Sequence, residues 1–173
     1  MKIIDLTAPI ESGMPVYPGD PEVNLDVATT IEQQGFEVRR LSLGSHTGTH
    51  VDAFSHMHAG KHTIDQIPLT TFVHVAVLVD DVHHLPERTG LVFRQDVGIE
   101  DFDAIVQAAP PFAAGEIDVD LEKALLGHGI VTYTNLVNLG RVPVRKPFLW
   151  IGLPLHIKGG DGSPVRAVAV FNE

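Results

Sequence analysis

Residues 46–52 read His-Thr-Gly-Thr-His-Val-Asp, and no other stretch of the chain leaves so little conformational choice. A helix would align His46 with His50 one turn apart, but Gly48 and two β-branched threonines disfavour helix, and Asp52 would fall well round the cylinder. In a strand the side chains alternate, so His46, Gly48, His50 and Asp52 share one face while Thr47, Thr49 and Val51 take the other. The spacing therefore predicts an extended segment over residues 37–53 that carries three metal-ligand side chains on one side.

The rest of the pattern is mostly extended as well. Residues 2–10 and the apolar run 72–79 (FVHVAVLV) are predicted strands, the second of them buried, and three prolines and two glycines make residues 12–23 an ordered loop. A short helix is expected to open near Asp101 and end at Pro110-Pro111. Residues 118–127 predict another, capped by Asp118 or Asp120, with Leu121, Leu125 and Leu126 on one face and Gly127 or Gly129 as its stop. Segments 147–157 and 165–171 are predicted as a hairpin or neighbouring strands across KGGDGSP. In that link Asp161, Ser163 and Arg166 are expected to make a structural turn and an ion pair, with a clamp for a substrate carboxylate as the alternative. The sum is a strand-dominated α/β domain with few helices, and 173 residues fit a single domain, 1–173.

Twelve Lys and Arg against 22 Asp and Glu give a formal charge of −10, which repels a phosphate backbone, so nucleic acid is not an expected partner. No stretch reaches the ~20 apolar residues of a membrane span. The absence of cysteine removes disulfides and thiolate ligands, and no signal-peptide pattern opens the chain, so a cytoplasmic protein is expected.

Histidine is the anomaly: five of the ten lie between His46 and His62, where an even spread would place one. Two imidazoles and a carboxylate suit Zn²⁺, Mn²⁺ or Fe²⁺ and leave coordination positions open for water and substrate. Gly48, between the histidines, removes a Cβ where a metal or substrate would crowd the backbone. His56 and His58 follow in the same parity, and each is open to three readings: a further ligand, a general acid or base, or a polar loop residue.

The run HTGTHVDAFSH, residues 46–56, resembles the HxGTHxDxPxH signature of the metal-dependent cyclase family, which includes bacterial kynurenine formamidases and isatin hydrolases. MPVYPGDP and LPLHIKGGDGSPVRAVAV resemble that family's flanking segments. The resemblance implies a mixed α/β sheet with barrel-like character, assembled as dimers or larger oligomers. It puts His46, His50 and Asp52 in the places of the first metal's ligands, His56 in that of the catalytic histidine, and Tyr17 in that of an aromatic residue lining the substrate pocket.

Three departures accompany it. Phe54 stands where the signature has proline; Glu122 and Thr134 stand where binuclear members have the second metal's His and Glu; and the chain is shorter than usual between residues 80 and 118. A threonine hydroxyl is a poor ligand, so one Zn²⁺ or Mn²⁺ per chain is expected. The implied activity is hydrolysis of a small-molecule amide, formamide, cyclic amide or lactone, with hydroxide generated at the metal as nucleophile and His56 as base and then acid. A metal-dependent cyclase or dehydratase, or a non-catalytic metal- or ligand-binding relative, are the alternatives. With an irregular segment over 80–117, the short chain is also expected to complete its pocket and cover strand edges by forming a homodimer or larger assembly.

Overall fold

A computed structural model describes residues 1–172. Eleven strands run in chain order as β1 (Lys2–Asp5), β2 (Asn24–Thr29), β3 (Val38–Ser42), β4 (His50–Asp52), β5 (Val73–Val79), β6 (Gly90–Phe93), β7 (Phe112–Ala114), β8 (Val131–Thr134), β9 (Phe148–Ile151), β10 (Gly162–Pro164) and β11 (Val168–Phe171). Nine form one curled mixed sheet in the order β1-β11-β9-β5-β6-β7-β8-β4-β10, and β2 pairs with β3 in a separate ribbon. Strands β5 to β8 are parallel neighbours and every other pairing is antiparallel, so the sheet is mixed and strand-dominated.

The parallel quarter explains the apolar runs. Its strands are covered on both faces, which requires apolar residues at successive positions rather than alternating ones. On the concave side the curl encloses Phe72, Leu78, Val92, Phe112, Tyr133 and Trp150. The rings of Phe112, Tyr133 and Trp150 stack pairwise at 4.9–5.3 Å, and the Tyr133 hydroxyl donates to the Gly152 carbonyl at 2.9 Å. A single helical turn, α1 (Ile31–Gln34), links β2 to β3, and on the convex side Val77, Val79, Leu91 and Phe93 pack against the helices α2 (Phe102–Ala108) and α3 (Val119–His128). Asp118 caps α3 through the Leu121 amide and Gly129 stops it, and α2 ends at Ala109 ahead of the two prolines. These two helices lie where the sequence placed them. No helix is long and apolar enough to cross a membrane among the described residues.

Two expectations need correction. The segment 37–53 is not one strand. Strand β3 pairs with β2 in the ribbon, residues 43–49 turn, and only His50–Asp52 enter the sheet as β4. Gly48 takes a left-handed backbone (φ 61°), which breaks the alternation that a continuous strand would impose. The Thr49 hydroxyl fixes the turn by donating to the Asn135 carbonyl at 2.6 Å and accepting from the Ala8 amide at 3.0 Å.

The C-terminal segments also differ from a simple hairpin. β9 and β11 do pair, but the linker between them supplies β10, which crosses to the far edge of the sheet and pairs with β4. Asp161 thereby lands beside the histidine segment. Arg166 instead pairs with Asp5, at 3.0 and 2.7 Å.

Candidate metal centre

Three strand rows position the site. In register, Asp52 of β4 lies between Thr132 of β8 and Gly162 of β10, and His50 lies between Thr134 and Pro164. His50 and Asp52, two residues apart on β4, share a face as the alternation requires. His46 reaches the same point from the turn before the strand, and His56 from the short 3₁₀ turn Phe54–His56 after it.

Asp52 is the centre, 1% exposed. Its Oδ1 lies 2.6 Å from His46 Nδ1 and 3.5 Å from His50 Nε2, and the Thr132 hydroxyl reaches its Oδ2 at 3.2 Å. His50 Nδ1 donates to the Gly48 carbonyl at 2.7 Å, which leaves Nε2 as the nitrogen facing Asp52. On its other side His46 places Nε2 2.9 Å from Asp161 Oδ2. Asp161 also lies 3.4 Å from His56 Nδ1 and accepts from the Ser45 hydroxyl at 2.9 Å. The His46 and His56 rings lie 3.9 Å apart, tilted by 39°.

His46, Asp52 and His56 bring donor atoms within 4.8 Å of one another, so His56 joins the expected ligands His46 and Asp52 in one group, while His50 approaches it through Asp52, at 3.5 Å. The structure gathers all four. Tyr17 is not part of this cluster: it sits on a turn of the N-terminal loop and is 77% exposed. Ile10 and Met14 from that loop are the side chains lying over Gly48, and a Cβ there would meet them at 3.7 and 3.5 Å. His58 turns away and donates to the Lys123 carbonyl at 2.7 Å.

The electrostatics follow from that crowding. Burial alone would lower the pKa of His46, but hydrogen bonds and charge from Asp52 and Asp161 outweigh it and raise it to about 9. Between two carboxylates, both ring nitrogens carry protons. For Asp52, burial works upward, yet His46 and His50 hold the carboxyl below its usual range. Burial, then the charge and hydrogen bond of Asp52, push Glu122 up to about 8, against a hydrogen bond from Thr132 at 2.9 Å. Burial opposes ionisation of Asp161, but His46 and Ser45 bring it down to about 2.

Sequence reasoning missed Asp161, Ser45 and Thr132. Thr132 becomes readable once β8 is known to pair with β4, and the glycine-flanked Asp161 was assigned to a turn. Thr134, standing where the resemblance puts a second metal's Glu in binuclear members, meets His50 Nε2 at 3.1 Å.

The chain and its fold have known counterparts. The family model described as "Putative cyclase" matches residues 4–117, and the chain belongs to the cyclase family. A kynurenine formamidase of Salinibacter ruber is 30% identical over 207 aligned residues, covering 97% of each chain, and one of Paracidovorax citrulli is 29% identical, covering 95% of this chain and 94% of its own. An alignment longer than 173 residues carries gaps in this chain. Among solved structures, isatin hydrolase A of Labrenzia aggregata superposes with a TM-score of 0.82 at 22% identity, over 99% of this chain and 94% of its own. A potential metal-dependent hydrolase with cyclase activity gives 0.74 at 26% identity, over 99% and 98%.

Proposed function

We propose that the protein is a metal-dependent hydrolase of non-peptide C–N bonds, acting on a small formamide, amide or cyclic amide. The kynurenine formamidase relatives, matched along nearly their whole length, support the reaction class. The observation that carries the metal is the donor set: His46 Nδ1 and His50 Nε2 both face Asp52 Oδ1, while the second nitrogen of each ring is engaged, by Asp161 and by the Gly48 carbonyl. Ligand imidazoles are ordinarily held in this way, so the residues fit a divalent ion. His46, His50 and Asp52 would hold it, and Zn²⁺ or Mn²⁺ suits their chemistry.

A bound divalent metal supplies Lewis acidity, polarising a carbonyl and lowering the pKa of water toward ~7. The chain's own part is to place groups around that centre. His56 is the general base and then acid, because an imidazole can both accept and donate a proton and this ring lies 3.9 Å from the His46 ring, beside the centre. Ile10 and Met14 over Gly48 place apolar side chains beside that centre, which favours an aryl or alkyl substrate over a charged one. Tyr17, at the exposed end of the same loop, is proposed as a substrate contact only in an assembly that covers it.

A single metal is favoured because the Thr134 hydroxyl is a poor ligand and is bonded to His50, while Glu122 is engaged by Asp52 and Thr132. A homodimer is favoured by the β2-β3 ribbon. A two-stranded hairpin is marginal alone in water, and this one leaves Leu41 63% and Val27 48% exposed. Light scattering at micromolar concentration should show a dimer or larger. The cysteine-free composition agrees with a cytoplasmic location.

The test is turnover. Protein loaded with Zn²⁺ or Mn²⁺ is incubated with N-formylkynurenine, isatin and a set of lactones, and the acid or deformylated amine is followed by chromatography. Release of formate or ring-opened acid is expected, and no hydrolysis across the set would overturn the reading. Elemental analysis after dialysis should give one equivalent of metal.

A further inference from the structure

We propose that Asp161 is a positioning residue that holds the imidazoles of His46 and His56 together in working orientation. The inference rests on the metal-centre reading above. Its starting point is an asymmetry between the two rings that flank Asp52. His50 has its outer nitrogen fixed by a backbone carbonyl only two residues away, a local contact that the turn leading into its strand supplies. His46 lies in a turn with no such backbone partner, and its outer nitrogen reaches across 115 positions of sequence to Asp161 Oδ2 at 2.9 Å. A ligand imidazole keeps its tautomer and ring plane only when the outer N–H is held, so the turn histidine depends on this carboxylate as the strand histidine does not.

The same oxygen also faces His56 Nδ1 at 3.4 Å. A proton on Nδ1 leaves Nε2 as the nitrogen free to exchange one, so Asp161 selects which end of His56 is basic. The carboxylate is itself oriented. Its Oδ1 accepts the Ser45 hydroxyl at 2.9 Å, and its backbone carbonyl accepts the Ala53 amide at 2.9 Å, at the residue leading into the turn that carries His56. Asp161 also precedes Gly162, the register partner of Asp52. One residue thus ties β10, Ser45, His46 and His56 to a single frame, while its side chain remains 47% exposed. A buried structural ion pair would not leave so much carboxylate in water.

The experiment compares Asp161→Asn, Asp161→Glu and Ser45→Ala with the native chain. Asparagine keeps the shape and tests the charge without opening a cavity. Zn²⁺ affinity, measured by competition with a chelating dye, needs no substrate; it should weaken by about 10- to 100-fold in Asp161→Asn and by a few-fold in Ser45→Ala. At saturating Zn²⁺, Asp161→Asn should lower kcat on the formamide by about 10-fold or more with KM within about 3-fold of native, and Asp161→Glu should recover part of both losses. Native Zn²⁺ affinity and native kcat in Asp161→Asn would overturn the proposal and leave Asp161 as a turn residue. Weakened metal with unchanged kcat at saturation would overturn its action on His56. If the native enzyme cleaves no formamide, the hydrolase reading fails alone, because the dye competition still decides the role of Asp161 toward His46.

Discussion

The two flanks of β4 serve the same carboxylate with opposite chemistry. On the β10 side, Asp161 stands beside His46 and His56, so the polar groups there are two imidazoles sharing an ionised acceptor. On the β8 side, Thr132 and Thr134 face Asp52 and His50, and Glu122 closes the row from α3. The first flank supplies basic nitrogens and a fixed negative charge. The second supplies hydroxyls and a carboxyl group that burial and Asp52 keep protonated near neutrality. The difference teaches that the ionised and basic groups crowd the β10 side of the strand, while on the β8 side hydroxyls and a neutral carboxyl group take up the space beside Asp52 and His50.

The largest expected effect is at the strand between them. Asp52→Ala removes a charge and a ligand atom from both flanks, so metal retention should fall by more than about 100-fold and activity with it, as elemental analysis and rate assays on the same sample would show. Retention of a full equivalent would move the centre away from Asp52 and break the comparison at its root. Next in size, His56→Ala should keep its metal and lose about 10²- to 10⁴-fold in kcat. If it strips the metal as thoroughly as Asp52→Ala, His56 is a ligand and another residue moves the proton.

A smaller effect concerns pH in the metal-free protein. His46 has its folded pKa raised from 6.5 to about 9, so the stability it contributes is fully present below about pH 6.5 and is lost as pH rises through about 9. Glu122, raised from 4.5 to about 8, loses its contribution in the same direction, at lower pH. The melting temperature of the metal-free chain should therefore fall by several degrees between about pH 6.5 and 9.5, and His46→Asn should flatten the upper part of that fall. A melting temperature that climbs over this range would contradict the carboxylate contacts of His46. Smallest of all, Thr132→Val should cost about 1 kcal/mol of stability by denaturant unfolding and change metal affinity only a few-fold. A loss of affinity as large as that of Asp161→Asn would make the flanks equivalent.

Much of this was legible in the chain itself. Helix α3 announces itself by Asp118, three leucines on one face and Gly129, all local signals that tertiary contacts had no reason to overrule. That His50 and Asp52 share a face is legible because both obey strand alternation on β4. His46 was found for a different reason than the right one: it was placed by parity along a strand, but it arrives by a glycine turn at Gly48. Asp161 and Thr132 were invisible because each meets Asp52 or His46 through register with a strand remote in sequence, and a single chain carries no local mark of that pairing. The ribbon, likewise, splits from segment 37–53 because β3 finds its partner in β2 rather than in the main sheet.

Gly162 sets how far this site tolerates change. A Cβ at that position would lie 2.6 Å from the His46 ring and 2.9 Å from the Val51 carbonyl. The imidazole occupies the volume that any other residue on β10 would claim for its own side chain. A single methyl there, with no polar atom gained or lost, would push the ring off both carboxylates or β10 off β4. The mould of the centre therefore includes a missing side chain, and the residue least able to take part in chemistry is among those that can least be replaced.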